Sequence, residues 1–326
     1  MRSMIIGTGA YAPSKVLTNF DLEKLVETTD QWIFERTGIR ERHVAGPEEA
    51  TSDLAYNATV RALDMAGVDP RDLELIVMGT ITGDLPWPAT AALLQGRLGN
   101  KKAFAFDVSA ACSASLYALS IADRYISTGV VKRALVLGAE TLTRIVDWKD
   151  RNTCILFGDG AGAMVLAPTD DPKRGVQSIH LHTDGSQWNI LHQPGPGSRH
   201  PLSPELLEKR QQYLFMNGRE VYKFAVRALV DACKEALAAN QLTTNDVNHV
   251  IAHQANKRIL DATLDRLEIP HSKCWMNLEK YGNTSAASVP TTIDEANRAG
   301  WFKPGDVILV TAIGAGMAWG AGVIRW

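Results

Sequence analysis

The sequence predicts an α/β protein whose second half repeats the first. Short apolar runs typical of strands alternate with longer runs of helical spacing along the whole chain. Such alternation indicates a mainly parallel central sheet covered by helices. The order of segments in the first half recurs in the second with a period of about 160 residues, which predicts two similar halves related by a pseudo-twofold axis.

Three pairs of segments establish the repeat, and the members of each pair share the same order of helix, strand or glycine-rich turn. The pairs are 61–77 with 234–251, 134–137 with 306–309, and 157–163 with 314–320. A polar stretch rich in turn-forming residues lies between the halves at 168–175. We therefore predict an N-terminal domain at residues 1–172 and a C-terminal domain at residues 173–326.

Local patterns predict the individual elements. Helical spacing of apolar residues, or capping residues before such spacing, indicates helices at 19–26, from 51 onwards and at 221–239. Uninterrupted or alternating apolar runs indicate strands at 73–78, 103–106, 133–137, 161–166 and 248–252. A stretch with several prolines and glycines at 192–204 is predicted to be a loop.

Cys112 is predicted to lie where a strand turns into a helix. Small residues surround it, so we expect helix and sheet to approach closely and the thiol to be unshielded. A helix N-terminus presents free N–H groups and a partial positive charge, both of which favour thiolate over thiol. The alternative on this pattern alone is a buried, inert cysteine.

The repeat places two further polar residues at comparable strand ends. The repeat offset puts Asn283 opposite Cys112, and His253 follows the strand at 248–252 as Gly79 follows the strand at 73–78. Ligands of parallel α/β sheets gather at the carboxyl ends of the strands. We therefore predict that Cys112, His253 and Asn283 face one another in one site.

Composition argues against several classes of function. The net charge of −2, with 45% hydrophobic and 21% charged residues, gives no electrostatic case for nucleic-acid or membrane binding. The four cysteines (Cys112, Cys154, Cys233 and Cys274) have no paired spacing, which argues against a disulfide framework or a zinc site. We find no signal peptide and no apolar run of transmembrane length, so we expect a cytoplasmic location.

The sequence context of two further motifs argues against the binding sites that they resemble. The glycines at 158, 160 and 162 precede a predicted strand rather than a helix, so they do not form a dinucleotide-binding fingerprint. His180 and His182 have strand spacing, and the sequence offers no third ligand nearby, so we expect no metal.

Together these residues resemble the β-ketoacyl-acyl-carrier-protein synthase III family of thiolase-like condensing enzymes, over essentially the whole chain. The motifs that carry the resemblance lie at 37–42, 111–113, 157–162, 251–256 and 281–286. Asn283 separates the chain from the elongating synthases, which use a second histidine there. The resemblance implies a thiolase-like fold, layered α-β-α-β-α, with two βαβαβαββ halves. One departure is Arg219, at a position that is often neutral in relatives.

The resemblance also implies a reaction, the decarboxylative Claisen condensation of an acyl-coenzyme A primer with malonyl-acyl carrier protein. Cys112 would be acylated, with the N–H groups of Cys112 and Ala315 as the oxyanion hole. His253 and Asn283 would then donate to the enolate oxygen. The products would be a 3-oxoacyl-acyl carrier protein, coenzyme A and CO₂, and a short primer such as acetyl-coenzyme A would initiate fatty acid synthesis. No cofactor is implied, since acyl-coenzyme A is a substrate, and a homodimer is expected.

Three further groups of residues are assigned by the resemblance. The coenzyme A contacts would be Trp32, Arg36, Arg151 and Asn256. The acyl pocket would be formed by Leu142, Phe157 and Trp87, the last contributed by the partner subunit. The carrier protein would meet Lys223, Gln254, Ala255, Asn256, Lys257 and Arg258. The basic stripe of Arg219, Lys223 and Arg227 suits an acidic carrier, although such a stripe is often only a solvated face.

The sequence leaves three other functions open. These are a relative in secondary metabolism that loads an unusual acyl group, a thioesterase-like hydrolase, and a non-catalytic binding module. The sequence also leaves open whether the helix N-terminus or His253 activates Cys112, and we expect the helix N-terminus to suffice.

Overall fold

The computed structural model describes all residues from Met1 to Trp326. The strands are β1 (Arg2–Tyr11), β2 (Lys15–Thr18), β3 (Glu41–Val44), β4 (Leu75–Gly79), β5 (Phe104–Val108), β6 (Ala134–Glu140), β7 (Gly160–Thr169), β8 (Gly175–Thr183), β9 (Leu191–His192), β10 (Phe215–Met216), β11 (His249–Ala252), β12 (Val307–Gly314) and β13 (Ala318–Arg325). The helices are α1 (Asn19–Leu22), α2 (Asp30–Thr37), α3 (Thr51–Ala66), α4 (Thr90–Arg97), α5 (Ala114–Ser127), α6 (Arg151–Cys154), α7 (Pro204–Glu208), α8 (Gly218–Ala239), α9 (Lys257–Leu267), α10 (Leu278–Tyr281) and α11 (Ser288–Arg298).

Two sheets of the same topology form the centre of the protein. The first has the strand order β1-β7-β6-β4-β5, and the second has the order β8-β13-β12-β11. A parallel bridge between Val250 and Cys274 continues the second sheet where β5 stands in the first. The strands β4, β5 and β6 are parallel, whereas β1 and β7 run antiparallel to their neighbours. The predicted pair of similar α/β halves is confirmed, while the boundary between residues 172 and 173 stays a prediction.

The helices and sheets form five layers. α5 and α11 lie between the sheets, where Leu116 and Val289 share one buried cluster with Val77 of the first sheet and Val310 of the second. α3 and α4 cover the outer face of the first sheet. α8 and α9 cover the outer face of the second. This α-β-α-β-α layering buries both faces of each sheet, as the near-continuous apolar strands require.

Glycines in the strands bring the two central helices close to the sheet. A Cβ on Gly79 of β4 would lie 2.7 Å from the Cβ of Ala114, at the start of α5. A Cβ on Gly138 of β6 would overlap the carbonyl of Ala286, just before α11. Any side chain at either glycine would push a helix away, so these two residues fix where the helices begin over the strand ends.

Some boundaries differ from the prediction. α1 ends at Leu22 rather than continuing to residue 26. α8 begins at Gly218, earlier than predicted, because the Asn217 side chain accepts a hydrogen bond from the Glu220 N–H and caps the helix. None of the helices combines the length and the apolar character needed to cross a membrane.

Candidate active site

Cys112 lies in a tight turn between β5 and α5. The turn is a short 3₁₀ helix, Ala111–Ser113, and Ala111 has a left-handed φ of 46°. The side chain is only 7% exposed, so the prediction of an unshielded thiol is wrong. Burial raises the pKa of Cys112 to about 12. Desolvation therefore favours the protonated thiol, and activation of Cys112 by the helix N-terminus stays a prediction.

His253 follows β11 and is held from both sides. Its N–H donates to the Thr311 carbonyl of β12 (2.8 Å), and its Nδ1 lies 2.6 Å from the Ser288 Oγ. The Gln254 N–H donates to the same Oγ (3.4 Å), so the hydroxyl can donate its own hydrogen to Nδ1. When the hydroxyl donates in this way, the imidazole hydrogen is on Nε2. Burial lowers the pKa of His253 to about 3, so the ring is a neutral donor and a poor base.

Asn283 is fixed by its backbone and by its amide oxygen. Its N–H donates to the Leu156 carbonyl (2.8 Å), and its carbonyl accepts from the Gly158 N–H (3.0 Å). The side-chain Oδ1 accepts from the Ser285 N–H at 2.8 Å. Because the oxygen is engaged, the Nδ2 hydrogens of the amide are left to face a ligand.

The three predicted residues line one cleft of about 570 Å³. His253 is 4% exposed and Asn283 is 6% exposed, so the polar groups of the cleft act in a largely dry environment. The structure corrects the register of the repeat, however. The offset that maps β4 onto β11 maps Ala111–Ser113 onto Ser285–Ala287, so Cys112 is equivalent to Ala286 rather than to Asn283.

The turn between β12 and β13 approaches the cysteine closely. A Cβ on Gly314 would lie 2.5 Å from the Cys112 nitrogen and 3.0 Å from the Ser113 nitrogen. Ala315 and Cys112 line a common cavity of about 360 Å³. The two segments predicted to form an oxyanion hole are therefore adjacent, and only glycine at position 314 permits this.

That second cavity is mainly apolar. Leu142 and Phe157, both predicted to form the acyl pocket, line it together with Ile145, Leu214 and Trp188. Trp87 does not line the cavity and is 83% exposed on the surface of this chain. Within one subunit, the structure brings two of the three predicted pocket residues together.

Exposed basic side chains surround the opening of the 570 Å³ cleft. Its lining includes Arg36, Arg219, Lys223 and Arg258, together with the predicted contact residues Ala255 and Asn256. Arg36 also lies beside another predicted coenzyme A contact, because its guanidinium is 4.2 Å from the centre of the Trp32 ring. The Arg151 guanidinium lies 5.0 Å from the same ring. Lys257 is exposed beside this opening and pairs with Asp261 at 2.7 Å.

The prediction that Gln254 meets the carrier protein is wrong for its side chain. Gln254 is 1% exposed. Its Nε2 donates to the Ala252 carbonyl at 2.9 Å, and its Oε1 accepts from the Asn277 N–H at 3.0 Å. Both ends of the side-chain amide are hydrogen-bonded to backbone groups, so Gln254 supports the loop that carries His253 from inside the protein.

Comparison with known proteins identifies the family. The family model for 3-oxoacyl-[acyl-carrier-protein] synthase III matches residues 106–185, and the model for its C-terminal part matches residues 237–326. The β-ketoacyl-[acyl-carrier-protein] synthase III of Caldanaerobacter subterraneus is 49% identical over 322 residues, which cover 99% of this chain and 97% of that protein. The chain belongs to the 3-oxoacyl-[acyl-carrier-protein] synthase III family. The predicted resemblance is confirmed.

Two further relatives support this assignment. The synthase III of Xanthomonas campestris is 50% identical over 329 residues, covering 99% of this chain and 98% of its own. The crystal structure of the Aquifex aeolicus enzyme has a TM-score of 0.93 at 45% identity, and the match covers 99% of this chain and all of that one. The thiolase-like fold is therefore shown by the neighbours as well as by the sheet topology.

Sequence reasoning missed three residues that support the site of Cys112, His253 and Asn283. Ser288 orients His253, Ser285 holds the Asn283 amide, and Glu140 ends β6 fully buried beneath them. The serines gave no distinct pattern among the small residues of 281–288. Glu140 did give a signal in the sequence, because a lone carboxylate at the end of a wholly apolar strand is costly to bury and requires partners.

His180 and His182 have a neighbour that the sequence did not indicate. Both imidazoles contact Glu235 of α8, at 3.3 Å and 2.6 Å respectively. No group of three or more metal-binding side chains in the chain is arranged to hold a metal ion.

The buried neutral imidazole of His253 predicts how the unfolding free energy changes with pH. An unfolded histidine takes up a proton below its ordinary pKa of about 6.5, whereas folded His253 does not until about pH 3. Folded wild type therefore loses stability relative to His253→Ala as the pH falls. We expect the difference in unfolding free energy between them to change by about 2 kcal/mol between pH 7.5 and pH 5. Urea denaturation of both proteins at the two pH values measures this, and an equal difference at both would contradict a buried neutral ring.

Proposed function

We propose that this chain condenses a short acyl-coenzyme A with malonyl-acyl carrier protein and so initiates fatty acid synthesis. The observation that carries the proposal is the single cleft where a cysteine thiol, a neutral imidazole and an amide meet beside an apolar cavity. Relatives at 49–50% identity bear the synthase III name, which favours this reaction over a role in secondary metabolism.

In the first half-reaction, Cys112 attacks the carbonyl carbon of the primer thioester. The Sγ–acyl bond forms as the bond to coenzyme A breaks, and negative charge develops on the carbonyl oxygen. The N–H groups of Cys112 and Ala315, which line the apolar cavity, donate to that oxygen, and the cavity holds the acyl chain. Arg36, Trp32 and Arg151 supply cations and an aromatic face for coenzyme A at the opening.

In the second half-reaction, malonyl-acyl carrier protein loses CO₂ and becomes an enolate. The Nε2–H of His253 and the Nδ2–H of Asn283 donate to the enolate oxygen. The enolate carbon then attacks the acyl group, and the Cys112 sulfur leaves. Thiol, imidazole and amide supply the nucleophile and the donors, so the proposed reaction needs neither a cofactor nor a metal. A cytoplasmic location stays a prediction of the sequence.

Labelled acyl-coenzyme A tests the proposal against its rivals. We expect mass spectrometry to locate the acyl group on Cys112, and CO₂ release to require malonyl-acyl carrier protein. Acyl release in water alone would indicate a hydrolase, and a protein without covalent label would be a binding module. The mass of the trapped group identifies the primer, and a preferred unusual acyl group would favour secondary metabolism.

We also propose that the acyl carrier protein docks on the basic opening. Reversing Lys223 and Arg258 to glutamate is expected to raise the KM for malonyl-acyl carrier protein by roughly five- to tenfold, because an acidic partner loses attraction and meets repulsion. The primer should be affected far less, and wild-type affinity should fall as salt rises. Lys303→Glu, at an exposed lysine outside the cleft lining, is the control. Equal losses for both substrates would contradict the docking role.

The proposed homodimer is supported by one exposed edge. β5 pairs only with β4 and is the outer strand of the first sheet. Phe104 of β5 is exposed, as are Leu85 and Trp87 in the preceding loop. That loop is tied to β5 through Thr90, whose N–H donates to the Asp107 carboxylate at 2.6 Å. An open strand beside exposed apolar side chains suits pairing with a second copy.

In that dimer, Trp87 would close the partner's acyl cavity. We expect Trp87→Ala to raise kcat/KM for eight-carbon relative to two-carbon primers by at least about tenfold, because the indole no longer blocks the chain. Acylation rates across a series of acyl-coenzyme A lengths provide the measurement, with sedimentation confirming that the variant is still dimeric. An unchanged length preference in an intact dimer would mean that Trp87 only packs its own loop.

A further inference from the structure

Glu140 is a fully buried carboxylate to which the proposed reaction gives no role. It ends β6 and has no exposed surface. Its hydrogen-bond partners are all hydroxyls and backbone N–H groups, so no cation compensates its charge. Burial of a carboxylate is costly unless such bonds offset it. The positions of these partners therefore indicate what Glu140 holds in place.

One oxygen of Glu140 is fixed by the segment that follows β4. Oε2 accepts from the hydroxyls of Thr80 and Thr82 and from the Thr82 N–H. The Ile81 N–H lies 3.2 Å from Oε2 and 3.3 Å from Oε1. The Thr82 hydroxyl also accepts from the Thr141 N–H at 2.9 Å. Because backbone N–H groups cannot rotate, the carboxylate is a rigid acceptor at the end of β6.

The other oxygen holds Ser285, which belongs to the second half of the chain. The Ser285 hydroxyl donates to Glu140 Oε1 at 3.1 Å. Ser285 is 1% exposed, and its φ of 50° lies in the left-handed region, which a residue with a Cβ seldom adopts. A hydrogen bond to a rigid carboxylate therefore supports a backbone conformation that serine does not favour by itself.

The turn at Ser285 orients the side chain of Asn283. The Ser285 N–H donates to Asn283 Oδ1 at 2.8 Å, which closes a turn through the asparagine side chain. This N–H is the only protein group that hydrogen-bonds the amide, and Asn283 lines the 570 Å³ cleft. Because one end of the amide is held, the direction of the Ser285 N–H decides where the Nδ2 hydrogens point.

We propose that Glu140 is a positioning residue for the condensation half-reaction. Through the Ser285 hydroxyl it holds the turn that directs the Asn283 Nδ2 hydrogens at the enolate oxygen. The proposal rests on the proposed function, in which Asn283 is that donor. A displacement of about 1 Å at a reacting centre costs up to about 100-fold in rate, even when every residue of the site is present. Acylation of Cys112 does not use the Asn283 amide, so it should not depend on this turn.

Two variants of Ser285, measured for both half-reactions, test the positioning role. Ser285→Ala removes the hydroxyl and should slow condensation and malonyl decarboxylation by about 10- to 100-fold, while single-turnover labelling of Cys112 stays within a few-fold of wild type. Ser285→Gly also lacks the hydroxyl, but glycine adopts a positive φ without strain, so the loss should be only about three- to tenfold. A role in packing alone predicts the reverse order, because glycine leaves the larger cavity.

Glu140→Gln separates the hydrogen bond from the charge. The glutamine oxygen can accept from the N–H groups of Ile81 and Thr82, and its Nε2–H can then donate to the Ser285 Oγ, because the serine hydroxyl can rotate. The link to the turn persists in the opposite direction, so condensation should stay within about threefold of wild type. A loss as large as that of Ser285→Ala would show that the charge, and not the turn, is required.

Ser3→Ala is the matched control, because the buried Ser3 hydroxyl also donates to a buried carboxylate, that of Asp123 at 2.7 Å, outside the cleft. It should leave the ratio of condensation to labelling unchanged. Condensation by Ser285→Ala within about threefold of wild type, or an equal loss of labelling, would overturn the positioning role.

A Ser285→Gly protein slower in condensation than Ser285→Ala would also overturn the positioning role. Circular dichroism checks the folding of each variant. If Ser285→Ala does not fold, an unchanged ratio of condensation to labelling in Ser285→Gly overturns the role. If wild type itself formed no acyl-enzyme, or released no CO₂ from malonyl-acyl carrier protein, the proposed function would fail instead.

Discussion

Cys112→Ala is expected to abolish acyl-enzyme formation while decarboxylation of malonyl-acyl carrier protein continues. Covalent transfer needs the sulfur, and no other thiol lines the cleft. Decarboxylation instead needs donors at the enolate oxygen, and His253 and Asn283 do not depend on the sulfur for their positions. The Thr311 carbonyl and Ser288 hold the imidazole, while Leu156, Gly158 and Ser285 hold Asn283.

The measurement is covalent label on the protein beside CO₂ release, on the same preparation. Cys233→Ala is the control, because Cys233 is also buried but lies on the core-facing side of α8, outside the cleft. It should keep wild-type labelling of Cys112. Loss of both activities in a folded Cys112→Ala protein would show that the sulfur also organises the decarboxylation site.

The sequence was sufficient to predict the architecture because each half must bury both faces of a sheet. The apolar runs that became β4, β6, β11 and β12 could only be central strands, and their order revealed the duplication. The same logic located Cys112 and His253 at strand ends, whereas Asn283 follows the short helix α10. It misaligned the two halves around Asn283, because the small residues at 281–288 look alike. The true equivalence is set by the left-handed turns at Ala111 and Ser285.

Burial and hydrogen bonding within the site could not be read from the pattern. Small residues around Cys112 suggested an open thiol, but they allow the turn at Gly314 to pack directly against it. Gln254 appeared among exposed neighbours in sequence, yet its amide satisfies backbone groups inside the protein. Both outcomes depend on contacts with segments far away in the chain, which one local stretch does not encode.

Removal of the amide donor is expected to have the opposite effect from removal of the sulfur. Asn283→Ala should still accept the acyl group on Cys112, because the nucleophile and the oxyanion turn at Ala315 are untouched. Condensation should fall by about two to three orders of magnitude, the usual cost of one lost donor to a developing oxyanion. Asn283→Asp keeps the shape but replaces the donor with an acceptor, so it should be at least as slow. Acylation lost with decarboxylation spared would contradict this division of labour.

His253→Ala should behave like Asn283→Ala rather than like Cys112→Ala. The low pKa of the buried ring makes it a donor to the enolate and not the base that deprotonates the thiol. Condensation should therefore fall about 100- to 1000-fold while single-turnover labelling of Cys112 stays within a few-fold of wild type. If His253→Ala lost labelling as completely as condensation, the imidazole would be the base, and activation of Cys112 would depend on it.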